Sequence, residues 1–325
     1  MTDATPTPPR DVIEGVYLCT SFDLPDLFGA ALAAHPSIRV YRPEDVPDPA
    51  RIRFALVWRP AADAFDAYPN IELVQTIAAG VDGVIGNPGL PDGVVVARVH
   101  DPEQAAIMAG FAAWHVVWHH RRMGQYLEAQ RAKLWDRQTI KTLRPPSRVT
   151  VGLLGYGLMG RAIAATVASM GFPVLAASRT GGDGAEGITR IAGDDAVARV
   201  AARSDILINI LPLTAATRGI LNAALFATMP EGAALIQLGR GPHLVEDDLL
   251  AALDTGRIGG ASLDVFQQEP LPCEHPFWTH PAIVVTPHKA SVTSPAAVAG
   301  DLVRSVRAMQ AGQRPDGAVD RTSGY

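Results

Sequence analysis

Cysteine is scarce: the 325-residue chain has two, Cys19 and Cys273. Two thiols make at most one bridge and no disulfide framework, and they are too few for a cysteine-only zinc site. A small secreted scaffold and most zinc modules are thereby excluded. Charge is also thin, at 19% of residues, and 33 acidic side chains outnumber 28 basic ones. A net charge of −5 gives no electrostatic reason to expect nucleic acid as a partner. Long apolar runs are missing as well. The nearest, Ala105 to Val117, is interrupted by Gly110 and His115 and ends in HHRR, short of the roughly eighteen residues of a membrane span. The opening MTDATPTPPRD, read as a frayed tail, lacks the basic and then apolar segments of a signal peptide. The expectation is a cytoplasmic protein that meets neither membrane nor nucleic acid.

What is present is apolar and alternating. Hydrophobic residues make up 48% of the chain, and its length suits about two domains. Short β-type runs occur at VIEGVYLC, FALVW (Phe54 to Trp58), ELVQTIAAGVD and GVVVARV (93–99), with helical patterns such as LPDLFGAALAAH between them. From Asp101 a long helical stretch follows, apolar on nearly every face in its first half. That composition suits a helix central to a domain or one packed on another subunit. Trp114 and Trp118, four apart, read as packing residues on it. A second α/β series starts at Arg148, with strands expected at RVTVGLLG, PVLAASR, DILINIL (205–211), AALIQLG (233–239), GASLDVF (260–266) and AIVVTP (282–287). Nearly continuous apolar strands belong to a parallel sheet covered on both faces. The fold class is therefore α/β, with two doubly wound, Rossmann-like parallel-sheet domains and a cleft between them.

Gly155-x-Gly157-x-x-Gly160 lies directly between the strand RVTVGLLG and a helix. The first glycine permits the tight turn, the second lets a pyrophosphate approach the backbone, and the third lets helix and sheet pack closely. The free N–H groups of the helix start then face the phosphates. An NAD site usually has Asp or Glu about 20 residues later, to accept from the ribose 2′-OH. This chain has Ser178-Arg179-Thr180 instead. A guanidinium with neighbouring hydroxyls fits a 2′-phosphate, although a loop arginine facing solvent would read the same way. NADPH is the expected cofactor, with NADH still admissible.

Arg240, Glu269 and His288 stand at or just beyond the ends of three late strands, 29 and 19 residues apart, so only the fold can bring them together. Jointly they suit the reduction of a 2-oxo acid. Arg240 would clamp the carboxylate and polarise the carbonyl. His288 would supply a proton to the carbonyl oxygen, and Glu269 would orient the imidazole and favour its charged form. Each alone is as readily a surface arginine, a turn glutamate or a strand-capping histidine. No metal is needed for this chemistry.

The stretches LVQTIAAGVD (73–82), GLLGYGLMG (152–160), ILINILPLTAATRGIL (206–221), LGRGPHLVEDDLLAALDTGRIGGASLDVFQQEPLP (238–272) and HPFWTHPAIVVTPHKASVT carry a resemblance. So does HRRMGQYLEAQRAKLW (120–135). The sequence resembles the D-isomer-specific 2-hydroxyacid dehydrogenase family, and within it the glyoxylate/hydroxypyruvate reductases, over nearly the whole chain. The resemblance implies that Arg240, Glu269 and His288 are catalytic and that the backbone N–H groups of Ala79 and Gly80 take the substrate carboxylate. It implies cofactor contacts at Gly155, Tyr156, Gly157, Leu158, Met159, Ser178, Arg179, Thr180, Leu211, Pro212, Thr217, Gly239 and Asp264, the last near the carboxamide. It further implies a discontinuous substrate domain of residues 1–101 plus 290–325, a dinucleotide domain of 102–289, and a homodimer formed through a helix and arm near 102–140.

Trp58 and Arg59, at a strand end, are candidates for the substrate side, with core packing an equal reading for Trp58. Trp135 is a candidate to reach a partner's site from the arm. Two departures from the family pattern stand out: Gly239 where alanine or serine usually precedes the arginine, and Lys289 where an apolar residue usually follows the histidine. The expected activity is reduction of glyoxylate or hydroxypyruvate to the 2-hydroxy acid. A reductase of bulkier acids such as phenylpyruvate and a non-catalytic dinucleotide sensor are the alternatives.

Overall fold

A computed structural model describes residues 12–137 and 143–321. The Pro/Thr-rich opening and part of the expected arm lie outside these described residues. The chain divides into two units, one of residues 1–101 and 293–325, the other of residues 102–292.

In the first unit the strands are β1 (Ile13–Cys19), β2 (Ile38–Tyr41), β3 (Ile52–Trp58), β4 (Leu73–Thr76) and β5 (Val95–Ala97). Helix α1 (Leu24–Ala33) joins the first two, and the one-turn α2 (Asp82–Ile85) precedes β5. The sheet order is β2-β1-β3-β4-β5, all parallel. Asp23 caps α1 through its carboxylate, which accepts from the Asp26 amide, and Pro25 fits its first turn. One sheet face packs on α1 and on the helix Pro295–Gln310, whose Val298, Leu302 and Val306 are buried with Phe54 and Leu56. The other face is covered by Phe65, Tyr68, Ile71, Val84 and Leu90. This is the doubly covered parallel sheet that the apolar runs require.

The second unit opens with α3 (Pro102–His120) and α4 (Met123–Arg131), separated where Arg122 takes a left-handed backbone (φ 51°). Then follow β6 (Val151–Leu154), α5 (Leu158–Ser169), β7 (Val174–Ala177), β8 (Gly182–Asp183), β9 (Ile188–Ile191), α6 (Ala196–Ala201), β10 (Ile206–Asn209), α7 (Ala223–Thr228), β11 (Ala233–Gln237), α8 (Glu246–Asp254), β12 (Ile258–Leu263) and β13 (Ile283–Val285). The order is β13-β12-β11-β10-β6-β7-β9-β8, parallel except for the last pair. Helices α3 and α5 cover one face with Met108, Ala112, Val116, Ile163 and Val167, while α6, α7 and α8 cover the other. Chain direction across the sheet reverses between β6 and β10, the point where such sheets bind ligands beyond their carboxyl ends.

Three strands had no counterpart in the sequence reading: β2, β8 and β9. The four-residue runs IRVY and ITRI each carry an arginine and are too short to show a period. Trp114 and Trp118 stack on each other, with centroids 5.0 Å apart, and Trp114 is 52% exposed, so it stands outside the core of its own unit. Among the described residues no helix is long and apolar enough to cross a membrane.

Candidate active site

The glycine loop meets each of its three requirements. Gly155 has φ 105°, in the left-handed region, and its N–H donates to the Ala177 carbonyl at 3.2 Å. A Cβ at Gly160 would sit 2.1 Å from the Gly155 carbonyl oxygen, so only glycine lets α5 start this close to the strand. Gly157, at the N-cap of α5, would direct a Cβ into open space. Leu158 and Met159 form the first helical turn behind it, and Tyr156 packs against the core under α5. The loop is thus an open cradle at a helix start, the shape and polarity that a pyrophosphate fits.

Around this cradle the neighbouring strand ends are braced. The Ser178 N–H donates to the Ile191 carbonyl at 3.0 Å, and its hydroxyl donates to the Thr180 carbonyl at 2.6 Å, which fixes the turn that exposes Arg179 and Thr180. After β10, the Thr217 hydroxyl donates to the Pro212 carbonyl at 2.7 Å and receives the Thr214 N–H at 2.8 Å. The Leu211 N–H donates to Asn209 Oδ1 at 3.3 Å.

Arg240 lies at the end of β11 above a buried polar network. Its N–H donates to His243 Nδ1 at 3.0 Å, and its carbonyl accepts from Gln237 Nε2 at 2.9 Å. Asn209 Nδ2 donates to Gln237 Oε1 at 2.8 Å and lies 3.1 Å from His243 Nδ1. Because Nδ1 accepts, the proton of a neutral imidazole belongs on Nε2, which donates to the Pro212 carbonyl at 3.2 Å. Asn209, Gln237 and His243 are fully buried, and their mutual bonds offset the cost of burying them. A Cβ at Gly239 would come within 2.8 Å of His243 Nδ1 and 2.9 Å of Asn209 Nδ2. The glycine that departs from the family pattern is therefore what lets this network close.

The next strand ends hold a histidine–carboxylate pair. His288 Nδ1 is 2.9 Å from Glu269 Oε2, and Glu269 Oε1 accepts the Phe266 N–H at 3.1 Å. With Nδ1 facing the carboxylate, Nε2 is the nitrogen left to face a substrate. His288 has φ 54°, an unusual backbone state for a non-glycine residue and one that clusters at functional sites. The carboxylate of Asp264, 1% exposed, braces that state. It accepts from the Thr286 hydroxyl at 2.7 Å and from the Lys289 and Ala290 N–H groups at 2.9 Å each. Those donors flank His288, so Asp264 acts on the histidine's placement.

Register joins the two halves of the site. Gln237, Leu263 and Val285 are direct neighbours across β11, β12 and β13, so Arg240, Asp264 and His288 leave the same sheet edge. A Cβ at Gly241 would overlap the Phe266 carbonyl, so the Arg240 turn abuts the loop that carries Glu269.

In the first unit, Trp58 ends β3 and is half-buried, with the Arg59 guanidinium 5.8 Å from its ring centroid. Arg59 has φ 43°, and its carbonyl accepts the Thr20 hydroxyl at 2.8 Å. Ala79 and Gly80 follow β4, half-buried, after Thr76 has closed its hydroxyl on the Ala78 carbonyl at 2.7 Å.

The profile of the family described as D-isomer specific 2-hydroxyacid dehydrogenase, NAD binding domain, matches residues 113–290. The glyoxylate/hydroxypyruvate reductase A of Yersinia enterocolitica is 38% identical over 279 residues, covering 84% of this chain and 87% of that protein. The chain belongs to the D-isomer specific 2-hydroxyacid dehydrogenases. It is accordingly an NAD(P)-dependent oxidoreductase. Among solved structures, a family member from Xanthobacter autotrophicus Py2 in complex with NADPH and MES aligns with a TM-score of 0.88 and 38% identity, over 96% of this chain and 99% of that one. An NADPH-dependent glyoxylate/hydroxypyruvate reductase from Sinorhizobium meliloti, with NADP and sulfate, aligns at 0.87 and 34%, over 96% and 99%.

Within this dehydrogenase the sequence reading passed over Asn209, Gln237, His243 and Thr286. The first two carried a signal: each is an amide inside an otherwise apolar strand run, DILINIL and AALIQLG, and a buried amide demands a partner. Nothing in one dimension named that partner.

Proposed function

We propose that this dehydrogenase reduces small 2-oxo acids, glyoxylate and hydroxypyruvate, to their 2-hydroxy acids, with NADPH preferred to NADH. The observation that carries the reading is the His288–Glu269 pair, fixed at 2.9 Å on a strand edge shared with Arg240. The NADPH preference is supported by Arg179 just beyond β7, in a stretch, residues 178–182, whose sequence has no carboxylate to repel a 2′-phosphate.

His288 Nε2 holds the proton destined for the substrate's carbonyl oxygen, and Glu269 keeps the ring oriented and offsets its positive charge. Arg240 binds the substrate carboxylate and draws electron density from the carbonyl. A dinucleotide held here would supply hydride to the carbonyl carbon. Gly155, Gly157 and the first turn of α5 would hold its pyrophosphate. Tyr156, Leu158, Met159, Ser178, Thr180, Leu211, Pro212, Thr217 and Gly239 would border it, and Asp264, which secures the His288 segment, would lie on the side of its carboxamide. The Ala79 and Gly80 amides complete carboxylate binding, and Trp58 and Arg59 line the substrate side. In this reading residues 1–101 and the C-terminal segment serve the substrate, residues 102–289 serve the dinucleotide, and the protein works in the cytoplasm as a homodimer. The dimer is supported by exposed apolar side chains along α3 and α4: Ile107, Trp114, Val117 and Leu127.

The test follows nicotinamide absorbance with glyoxylate, hydroxypyruvate, pyruvate and phenylpyruvate, each with NADPH and NADH. Fast NADPH oxidation with the two small acids is the expected result. A clear NADH preference overturns the cofactor reading alone. Preference for phenylpyruvate moves the substrate to bulky acids, and silence with every acid despite cofactor binding makes the protein a sensor.

A further inference from the structure

We infer that Arg190 is a second cationic partner of the cofactor's 2′-phosphate, held in place by the ring of Tyr156. The inference rests on the NADPH reading above and adds a residue from outside the turn that carries Arg179. Arg190 stands on β9, in register with Ala176 of β7. One residue further on, the Ile191 carbonyl accepts the Ser178 amide, which ties β9 to the first residue of the Ser178–Thr180 turn. Across the antiparallel pair Arg190 faces Gly182, and a Cβ there would lie 3.2 Å from its Nη2. The Arg190 Cζ is also 5.9 Å from the ring centroid of Tyr156, the second residue of the glycine loop. Glycine loop, strand-end turn and β9 therefore meet at one guanidinium.

The chemistry follows from that meeting point. A phosphate monoester carries about −1.5 to −2 charge near neutral pH, more than one guanidinium neutralises. A guanidinium beside an aromatic ring is oriented by it and can still turn N–H edges toward phosphate oxygens. Gly181 and Gly182 put no side chain between the turn and β9, and residues 178–182 (SRTGG) include no carboxylate. Arg179 then approaches the phosphate from the turn and Arg190 from the neighbouring strand.

The experiment titrates the full-length protein with 2′-phospho-ADP-ribose and with ADP-ribose by calorimetry. Wild type is compared with Arg190→Met, Arg190→Lys, Tyr156→Leu and Arg179→Met, and melting temperature is monitored for each. Arg190→Met should weaken the phosphorylated fragment about tenfold or more and change ADP-ribose less than twofold. Arg190→Lys should recover part of the loss, and Tyr156→Leu should shift the same ratio by a smaller factor. An equal loss for both fragments, or none for either, overturns the role of Arg190. If Arg190→Met does not fold, Arg190→Lys decides alone: an unchanged fragment ratio overturns the inference. Should wild type show no preference for the phosphorylated fragment, the NADPH reading falls and takes this one with it. A preference abolished by Arg179→Met but untouched by Arg190→Met leaves the NADPH reading standing and removes only the inference.

Discussion

Two parallel sheets in one chain end their strands very differently. In the first unit, the loops after β1, β3 and β4 are braced mainly by side chains on nearby carbonyls, Thr20 on Arg59, Thr76 on Ala78 and Asn87 on Pro60 and Ala61, with one buried side-chain pair, Ser305 on Gln75. In the second, the ends of β10, β11, β12 and β13 are cross-linked by amide, imidazole and carboxylate side chains, several fully buried. The folds are of one kind, so topology does not account for the contrast. A buried polar network costs desolvation at each member, and it persists where it holds something in a geometry that apolar packing would not. Investment in bonded polar groups thus singles out the sheet edge to which we assign the chemistry, independently of any motif.

The sharpest way to break this comparison is to remove one polar group from each edge. His288→Asn should lower kcat for glyoxylate about 10³-fold while NADPH affinity changes less than twofold. Thr20→Val, at the other edge, should cost well under tenfold in the same assay. Similar losses from both would mean that polar density does not locate the reaction.

A second pair compares stability. Asp264→Asn sets an amide N–H₂ against donors that a carboxylate now satisfies, and should destabilise by about 3 kcal/mol in urea titrations. Thr76→Val loses one neutral bond and should cost about 1 kcal/mol. A drop in kcat for Asp264→Asn in the absence of denaturant would add that the bracing of His288 matters to turnover.

The third concerns the layer beneath the second sheet. Burial lowers the pKa of His115 to about 4, and burial together with the nearby His115 charge lowers that of His119 to about 3, from an ordinary 6.5. At pH values between these and 6.5 the unfolded chain takes up protons that the folded chain does not. Their contribution is therefore complete above about pH 6.5 and is lost as the pH falls toward 4. By pH 4.5 the loss should be on the order of 2.5 kcal/mol for each ring, about 5 kcal/mol for the two. His119→Gln, which keeps a partner for Ser262, should flatten the profile, and an unchanged profile would show that these rings do not govern acid stability.

The smallest expected effect separates shape from stability inside the glycine loop. Gly157→Ala projects a methyl group into open space, so the melting temperature should stay within about 1 °C while NADPH binding weakens severalfold. A large fall in melting temperature would mean that the cradle is packed by protein, contrary to its role as a phosphate site.

The sequence announced the parts of this molecule that depend on local order. Apolar runs such as VGLL and ILIN became buried strands, and the glycine spacing became a strand–turn–helix cradle, because turn geometry and hydrophobic period are properties of neighbouring residues. Glu269 and His288 were legible as candidates and do pair. What stayed hidden depends on contacts between distant strands. His243 gives no sign in the sequence of its bonds to Arg240, Asn209 and Pro212. Asp264, expected near a cofactor group, has a carboxylate already committed to three donors around His288. Spacing along a helix reveals that Trp114 and Trp118 share a face but not which way that face points.

The route of the chain through the first unit has a consequence for its synthesis. Residues 102–292 form a continuous stretch with its own sheet and both of its helical layers. The first unit instead lacks part of one wall, which α1 alone does not fill, until Val298, Leu302 and Val306 arrive to cover Phe54 and Leu56. Translation proceeds at roughly 5–20 residues per second, so the five-stranded sheet emerges first and waits about ten seconds or more for its missing helix. Through that interval its apolar face is open to chaperones and to misassociation. The part of the protein that is made first is the last to close.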